Sequence, residues 1–106
     1  MRVYVAGPIT KGNQAVNVQK GVRVADELLL AGHEPFCPHL SHFWEYLTGA
    51  RKHELWMRLD LAWLEQCEAL IRLPGESMGA DAEVKHAKKH DIPVFDSVHT
   101  FLEWAA

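Results

Sequence analysis

Apolar and polar positions along this chain switch between a two-residue and a helical period, and each switch marks an element. Arg2 to Ala6 is a short β-rich run that stops at Gly7-Pro8, the pattern of a buried strand breaking into a loop. The stretch from Gly7 to Asn13 is rich in breakers. Val18, Val22, Ala25, Leu28 and Leu29 then recur at helical spacing, and Gly32 supplies a C-terminal stop. His33 to Phe36 predicts a second strand, closed by Cys37-Pro38. Ser41 can cap a short helix through Leu47, ended by Thr48-Gly49. Leu55, Leu59, Ala62 and Trp63 form one stripe of a helix over Glu54 to Gln66. Glu68 to Leu73 predicts a third strand, Gly79 to His90 a helix, Asp91 to Phe95 a last strand and Val98 to Trp104 a closing helix.

Strands alternating with helices predict an α/β fold in which a parallel sheet is covered on both faces. The expectation is one domain over residues 1–106, a flavodoxin-like or Rossmann-like three-layer sandwich with a four- to five-stranded parallel sheet and right-handed crossovers. No linker, repeat or low-complexity segment interrupts it.

Composition narrows the function classes. At 48% hydrophobic and 24% charged the chain is ordinary globular material. A formal charge of −3 and a pI near 6.1 leave no basic footprint for a nucleic acid polymer. No apolar run approaches the ~20 residues of a membrane span, and the opening segment is too short for a signal peptide. Cys37 and Cys67 lie apart without a CxxC, as reduced thiols of a cytoplasmic protein would.

Candidate chemistry concentrates between Leu59 and His90. Asp60 stands on the helix before the third strand, and Glu83 follows the loop Pro74-Gly75-Glu76-Ser77-Met78 on the next helix. Gly79, Ala80 and Ala82 leave room beside Glu83, and the end of a parallel strand is where ligands bind in such sheets. Two carboxylates near one strand end suit chemistry at an anomeric carbon, one attacking and the other protonating the leaving group. Plainer readings stand beside this one. Asp60 could pair with Arg58 or Arg51, Glu83 could be an exposed acid in a ladder like Asp81 and Lys85, and Ser77 could be a simple helix cap. A serine at a helix start also makes an anion site, so a phosphate could rest at Ser77 to Gly79.

The first loop fits neither common nucleotide signature. Gly12 is followed by Asn13-Gln14 rather than the Lys-Ser/Thr of a P-loop, and the second strand ends Phe36-Cys37-Pro38-His39 without the acid of a dinucleotide site. His39 follows that strand end, in reach of a ligand. The pairs His39/His42 and His86/His90 lack further ligands in sequence, so no metal site and no cofactor are expected. The tryptophans Trp44, Trp56, Trp63 and Trp104 read as core or subunit contacts, with Trp44 and Phe43 candidates to line a base pocket.

Three motifs in order, Tyr4-Val5-Ala6-Gly7-Pro8-Ile9, Asp60-Leu-Ala-Trp-Leu-Glu-Gln-Cys-Glu-Ala and Ser77-Met-Gly-Ala-Asp-Ala-Glu83, resemble the nucleoside 2-deoxyribosyltransferase superfamily. That group includes the 2′-deoxynucleoside 5′-monophosphate N-glycosidases and small phage and bacterial proteins of uncharacterised function. The resemblance implies that Glu83 attacks C1′ to form a glycosyl-enzyme, that Asp60 assists departure of the base, and that Tyr4 positions the nucleophile. It places Gly7, Pro8 and Ile9 around base and sugar. Ser77, with Met78 and Gly79, matches the hydrolases' 5′-phosphate site, where the transferases carry an aspartate. Thr10 and Lys11 stand where those hydrolases have an arginine, and Lys85 stands where many relatives have glycine. The implied function is cleavage of the N-glycosidic bond of a 2′-deoxynucleoside 5′-monophosphate. Base exchange on free deoxynucleosides, or nucleotide binding without turnover, are the alternatives. The implied partners are a small nucleotide or nucleoside and a second subunit, in a homodimer or higher homo-oligomer.

Overall fold

A computed structural model describes residues 1–106. Its elements are β1 (Arg2–Ala6), α1 (Gln14–Leu30), β2 (Glu34–Phe36), a 3-10 turn (Pro38–Leu40), α2 (Ser41–Thr48), α3 (His53–Leu64), β3 (Ala69–Arg72), α4 (Met78–Lys89), β4 (Val94–Phe95) and α5 (Val98–Ala105). The four strands form one parallel sheet in the order β2-β1-β3-β4. This is the flavodoxin-like winding order with four strands, and its direction of growth reverses between β1 and β3. No helix is long and apolar enough to cross a membrane.

Strand alternation divides the core. Tyr4, Ala6 and Leu70 face one side, where they pack with Leu64 of α3 and Ala80 and Ala87 of α4. Val3, Val5, Ala69 and Ile71 face the other, against Leu28 of α1 and Phe101 of α5. The central strands are therefore apolar on both faces, as a sheet covered by helices requires. The same alternation delivers the Tyr4 side chain to the layer that holds α3 and α4.

Most boundaries shift by a residue or two, and three further differences from the sequence expectation have local reasons. β4 holds only Val94 and Phe95, because Asp91 turns the chain with φ 57° and Pro93 has no N–H to give a ladder. Pro93 still accepts from the Leu70 amide through its carbonyl (3.0 Å). Ser41 does not cap α2; it is the first residue of that helix, which continues from the 3-10 turn without a side-chain cap. The third difference concerns α3. Its inward residues are Asp60 and Leu64, whereas Leu55, Ala62 and Trp63 of the expected apolar stripe lie exposed. A carboxylate in the middle of the buried face breaks the apolar pattern by which that face would be recognised.

Candidate active site

The cavity is built by two loops that leave adjacent strands at their C-terminal ends. Arg72, closing β3, donates to the carbonyls of Leu73 and Gly75 and pairs with Asp81 at 2.9 Å, which moors the following loop to the first turn of α4. Asp81 is thus committed to Arg72 and not to an i, i+4 pair with Lys85. Gly75 has φ +118°, and a Cβ there would lie 2.7 Å from Pro8 Cγ, so the loop after β1 rests directly on the loop after β3. Lys11 and Glu76 add an ion pair at 3.1 Å between the same loops. Ser77 then caps α4 by accepting from the Ala80 amide at 3.1 Å. This places α4's opening turn at the switch point between β1 and β3, where a ligand crevice is expected.

Between these loops, α2 and α3 lies a cavity of about 460 Å³. Asp60 and Glu83 both line it, and both are almost wholly buried, at 6% and 5% exposure. Neither forms an ion pair, although the charge of Arg72 acts on Glu83 against its burial; Arg51 is occupied by the carbonyls of Thr48, Gly49 and Ala50. Tyr4 lies fully buried beneath them and donates its hydroxyl to Glu83 Oε2. Burial pushes the Asp60 carboxyl up to about 7. Burial also pushes Glu83 up to about 7, opposed by the Tyr4 hydroxyl and reinforced by the negative charge of Asp60. Tyr4 itself is driven far above the ordinary phenol range, first by burial and then by Glu83, so it stays a donor. Two acids that both resist ionisation, side by side in one cavity, can divide a proton-holding and a nucleophilic role between them.

Of the other residues singled out in sequence, Gly7, Ile9, Thr10, Lys11, Ser77, Met78 and Gly79 line the same cavity. Pro8 and His39 do not. Both border a separate cavity of about 280 Å³ beside Lys20 and Arg23. His39 is fully buried, with Nδ1 3.6 Å from Cys37 Sγ. A Cβ on Gly21 would fall 2.4 Å from its ring, so a glycine in α1 makes the space it occupies. Burial lowers its pKa to about 4, which favours a neutral imidazole, and its buried Nε2 has no protein partner and lies 3.5 Å from where a Cβ on Gly7 would be.

The opposite wall was not visible in the sequence. It comes from His53, Trp56 and Met57, which share the inward face of α3 with Asp60, and from Ser41, His42 and Glu45 of α2. His53 and Met57 stand 3.8 and 3.9 Å from where a Cβ on Gly79 would be, directly across from α4's first turn. The spacing 53, 56, 57, 60 is one helical face, and anchoring the stripe on Asp60 would have found it. Glu45 joins α2 to α3 by accepting from the Arg51 amide (2.8 Å) and the Trp56 indole N–H (2.9 Å), and these bonds hold its carboxyl below the usual range. Trp56, not Trp44 or Phe43, supplies the aromatic surface: Trp44 packs edge-on against Trp56 at 5.2 Å, and Phe43 stacks on Tyr46 in the open.

Known proteins add a family and a fold. No curated protein matches the chain by sequence. Among solved structures, the 2-deoxyribosyltransferase of the psychrotolerant bacterium Bacillus psychrosaccharolyticus is similar with a TM-score of 0.65, covering 89% of this chain and 69% of that one at 21% identity. At that identity the likeness is one of fold, and it agrees with the sheet order and the layer arrangement described above. Residues 1–96, from β1 through β4, match the family described as Domain of unknown function (DUF4406), and the chain belongs to that family.

Proposed function

We propose that the cavity cleaves the N-glycosidic bond of a 2′-deoxynucleoside 5′-monophosphate with retention at C1′. The observation that carries this reading is the buried trio of Tyr4, Glu83 and Asp60, with both carboxyls near 7 in a single cavity. In the first step, ionised Glu83 bonds to C1′ while the bond from C1′ to the base nitrogen breaks. Protonated Asp60 gives its proton to the departing base. Tyr4 holds one Glu83 oxygen, and Oε1 has no protein partner, so it is the oxygen available to attack. In the second step, Asp60, now a carboxylate, takes a proton from water as the water oxygen attacks C1′ and frees Glu83. The products are the base and 2-deoxyribose 5-phosphate, and both acids return to their starting states.

In this reading the 5′-phosphate rests at the start of α4. The Ser77 oxygen accepts from Ala80, which leaves its hydrogen free to donate, and the amides of Met78 and Gly79 have no acceptor inside the helix. Lys11 lines the same end of the cavity as a point charge. One observation favours the alternative of free deoxynucleosides, with base transfer to an acceptor. Glu45, Asp60, Glu76 and Glu83 all line the cavity, and Lys11 is already paired with Glu76.

Incubating the protein with deoxynucleosides and their monophosphates, with and without an acceptor base, and separating the released bases chromatographically tests both readings. Monophosphate cleavage independent of acceptor is expected. Glu83→Ala is expected to release no base while still binding ligand, and turnover in that variant would remove the nucleophile. Ser77→Asp is expected to weaken monophosphates much more than nucleosides; equal losses would remove the phosphate assignment.

The same reading includes a homodimer that closes the cavity. α2 has no buried residue and presents Phe43, Tyr46 and Leu47 to solvent beside the cavity, and Met78 on its rim is 90% exposed. A contiguous apolar rim of this kind suits a protein contact.

A further inference from the structure

We propose that Glu65, His86 and His90 form a site for a divalent transition metal ion of the zinc class, outside the cavity. One ligand atom from each residue lies within 4.8 Å of the other two. His86 lies in the last turn of α4 and His90 is the residue that follows Lys89 and caps it, an i, i+4 spacing that brings the two imidazoles together at the helix end. Sequence alone shows this pair without a third ligand. The fold supplies it: Glu65, just past α3, reaches His86 Nε2 with Oε2 at 2.9 Å.

Local geometry also prepares the second ring. His90 Nδ1 is 3.0 Å from the His86 carbonyl, an arrangement in which a neutral ring donates from Nδ1 and leaves Nε2 with a free lone pair. An imidazole whose other nitrogen is held by a backbone carbonyl is the usual state of a metal ligand. The two rings lie 4.4 Å apart at 37°. Rings this close would repel if both were protonated, whereas two neutral imidazoles facing one carboxylate match the donor set of Zn²⁺, Co²⁺ or Ni²⁺. Three protein ligands leave a fourth position for water. All three residues have solvent access, so an ion can enter.

The placement gives such an ion a mechanical role. Glu65 is five positions beyond Asp60, and His86 is three beyond Glu83. Coordination would therefore tie together the two helices that bear the buried acids. Imidazole Nε2 as a ligand carries no proton, so binding moves the proton of the His86–Glu65 contact to Nδ1 or to solvent.

The test uses untagged protein, stripped with chelator and titrated with zinc by calorimetry, with cobalt absorption as a second reading. One equivalent is expected to bind with micromolar affinity, to raise the melting temperature and to give the visible bands of nitrogen-coordinated Co²⁺. His86→Gln and His90→Asn are each expected to weaken binding at least about tenfold. No binding at about 100 µM zinc, or unchanged affinity in the double variant, overturns the site. Histidines in the cavity (His42 and His53) remain in that variant, so retained binding would locate the ion there. The readout is metal binding rather than base release, and it stands apart from the glycosidase reading.

Discussion

Tyr4 and Glu83 are 79 positions apart, yet the hydroxyl of one is spent on the carboxylate of the other in a buried layer. The cost of that arrangement is a pair of acids that resist charge. In the unfolded chain these carboxyls titrate near 4, and in the folded protein both are raised to about 7. Between those values the native state holds protons that the unfolded state has released. Stability from this pair is therefore complete below about pH 4 and is lost as pH rises through about 7. Glu83→Gln, a neutral group of the same shape, is expected to raise the melting temperature at pH 8 by on the order of 5 °C and to change it little at pH 4. Melting curves at the two pH values check this, and an equal shift at both would contradict the buried-charge account. Activity in the proposed reaction needs one acid protonated and the other ionised, so its pH dependence is expected to be a narrow bell centred near neutrality, with limbs that belong to the pair.

Elements were legible in the sequence where their pattern was purely apolar. β1 and β3 announce themselves as apolar runs buried on both faces, whereas α1 is legible as a helix although Val22 and Leu29 of its expected stripe lie exposed and Gly21 and Leu28 are its buried residues. α3 misleads for the opposite reason: its inward face carries Asp60 between Met57 and Leu64, so the apolar stripe through Leu55, Ala62 and Trp63 is the stronger pattern in sequence although it lies exposed. The burial of His39 is not legible either, because its position after β2 says nothing of the space that Gly21 leaves for it. The α3 side of the wall is legible only once the stripe is anchored on Asp60, and the contact between the two loops is not legible at all, since it joins segments remote in sequence. The loop contact has its own test. Gly75→Ala places a methyl 2.7 Å from Pro8 at a left-handed backbone position. A loss of about 1–3 kcal/mol is expected from chemical denaturation, with weaker ligand binding as the loops part. A variant as stable as the parent would show that the loops do not bear on each other.

At the scale of the whole molecule, the winding order puts the crevice between β1 and β3, and every residue proposed for chemistry lies in the layer of α3 and α4 or in the loops above it. α1 and α5 cover the far face of the sheet through Leu28 and Phe101, and α1 reaches the cavity only with its first residue, Gln14. The outer surface of α2 presents Phe43, Trp44, Tyr46 and Leu47 without cover. Light scattering is expected to give the mass of a dimer at micromolar concentration, and Tyr46→Glu with Leu47→Glu to give a monomer of slower turnover. A monomeric parent chain would count against closure of the cavity by a second copy.

The indole of Trp56 makes the protein its own optical probe. It borders the cavity, its N–H is fixed on Glu45, and Trp44 abuts it edge-on. A heterocyclic guest entering that space would stack against or beside this one chromophore and quench its emission, while Trp63 and Trp104, away from the lining, would glow unchanged. Titrating nucleotides against the native fluorescence is then expected to yield a binding curve without any label, and Trp56→Phe to erase it.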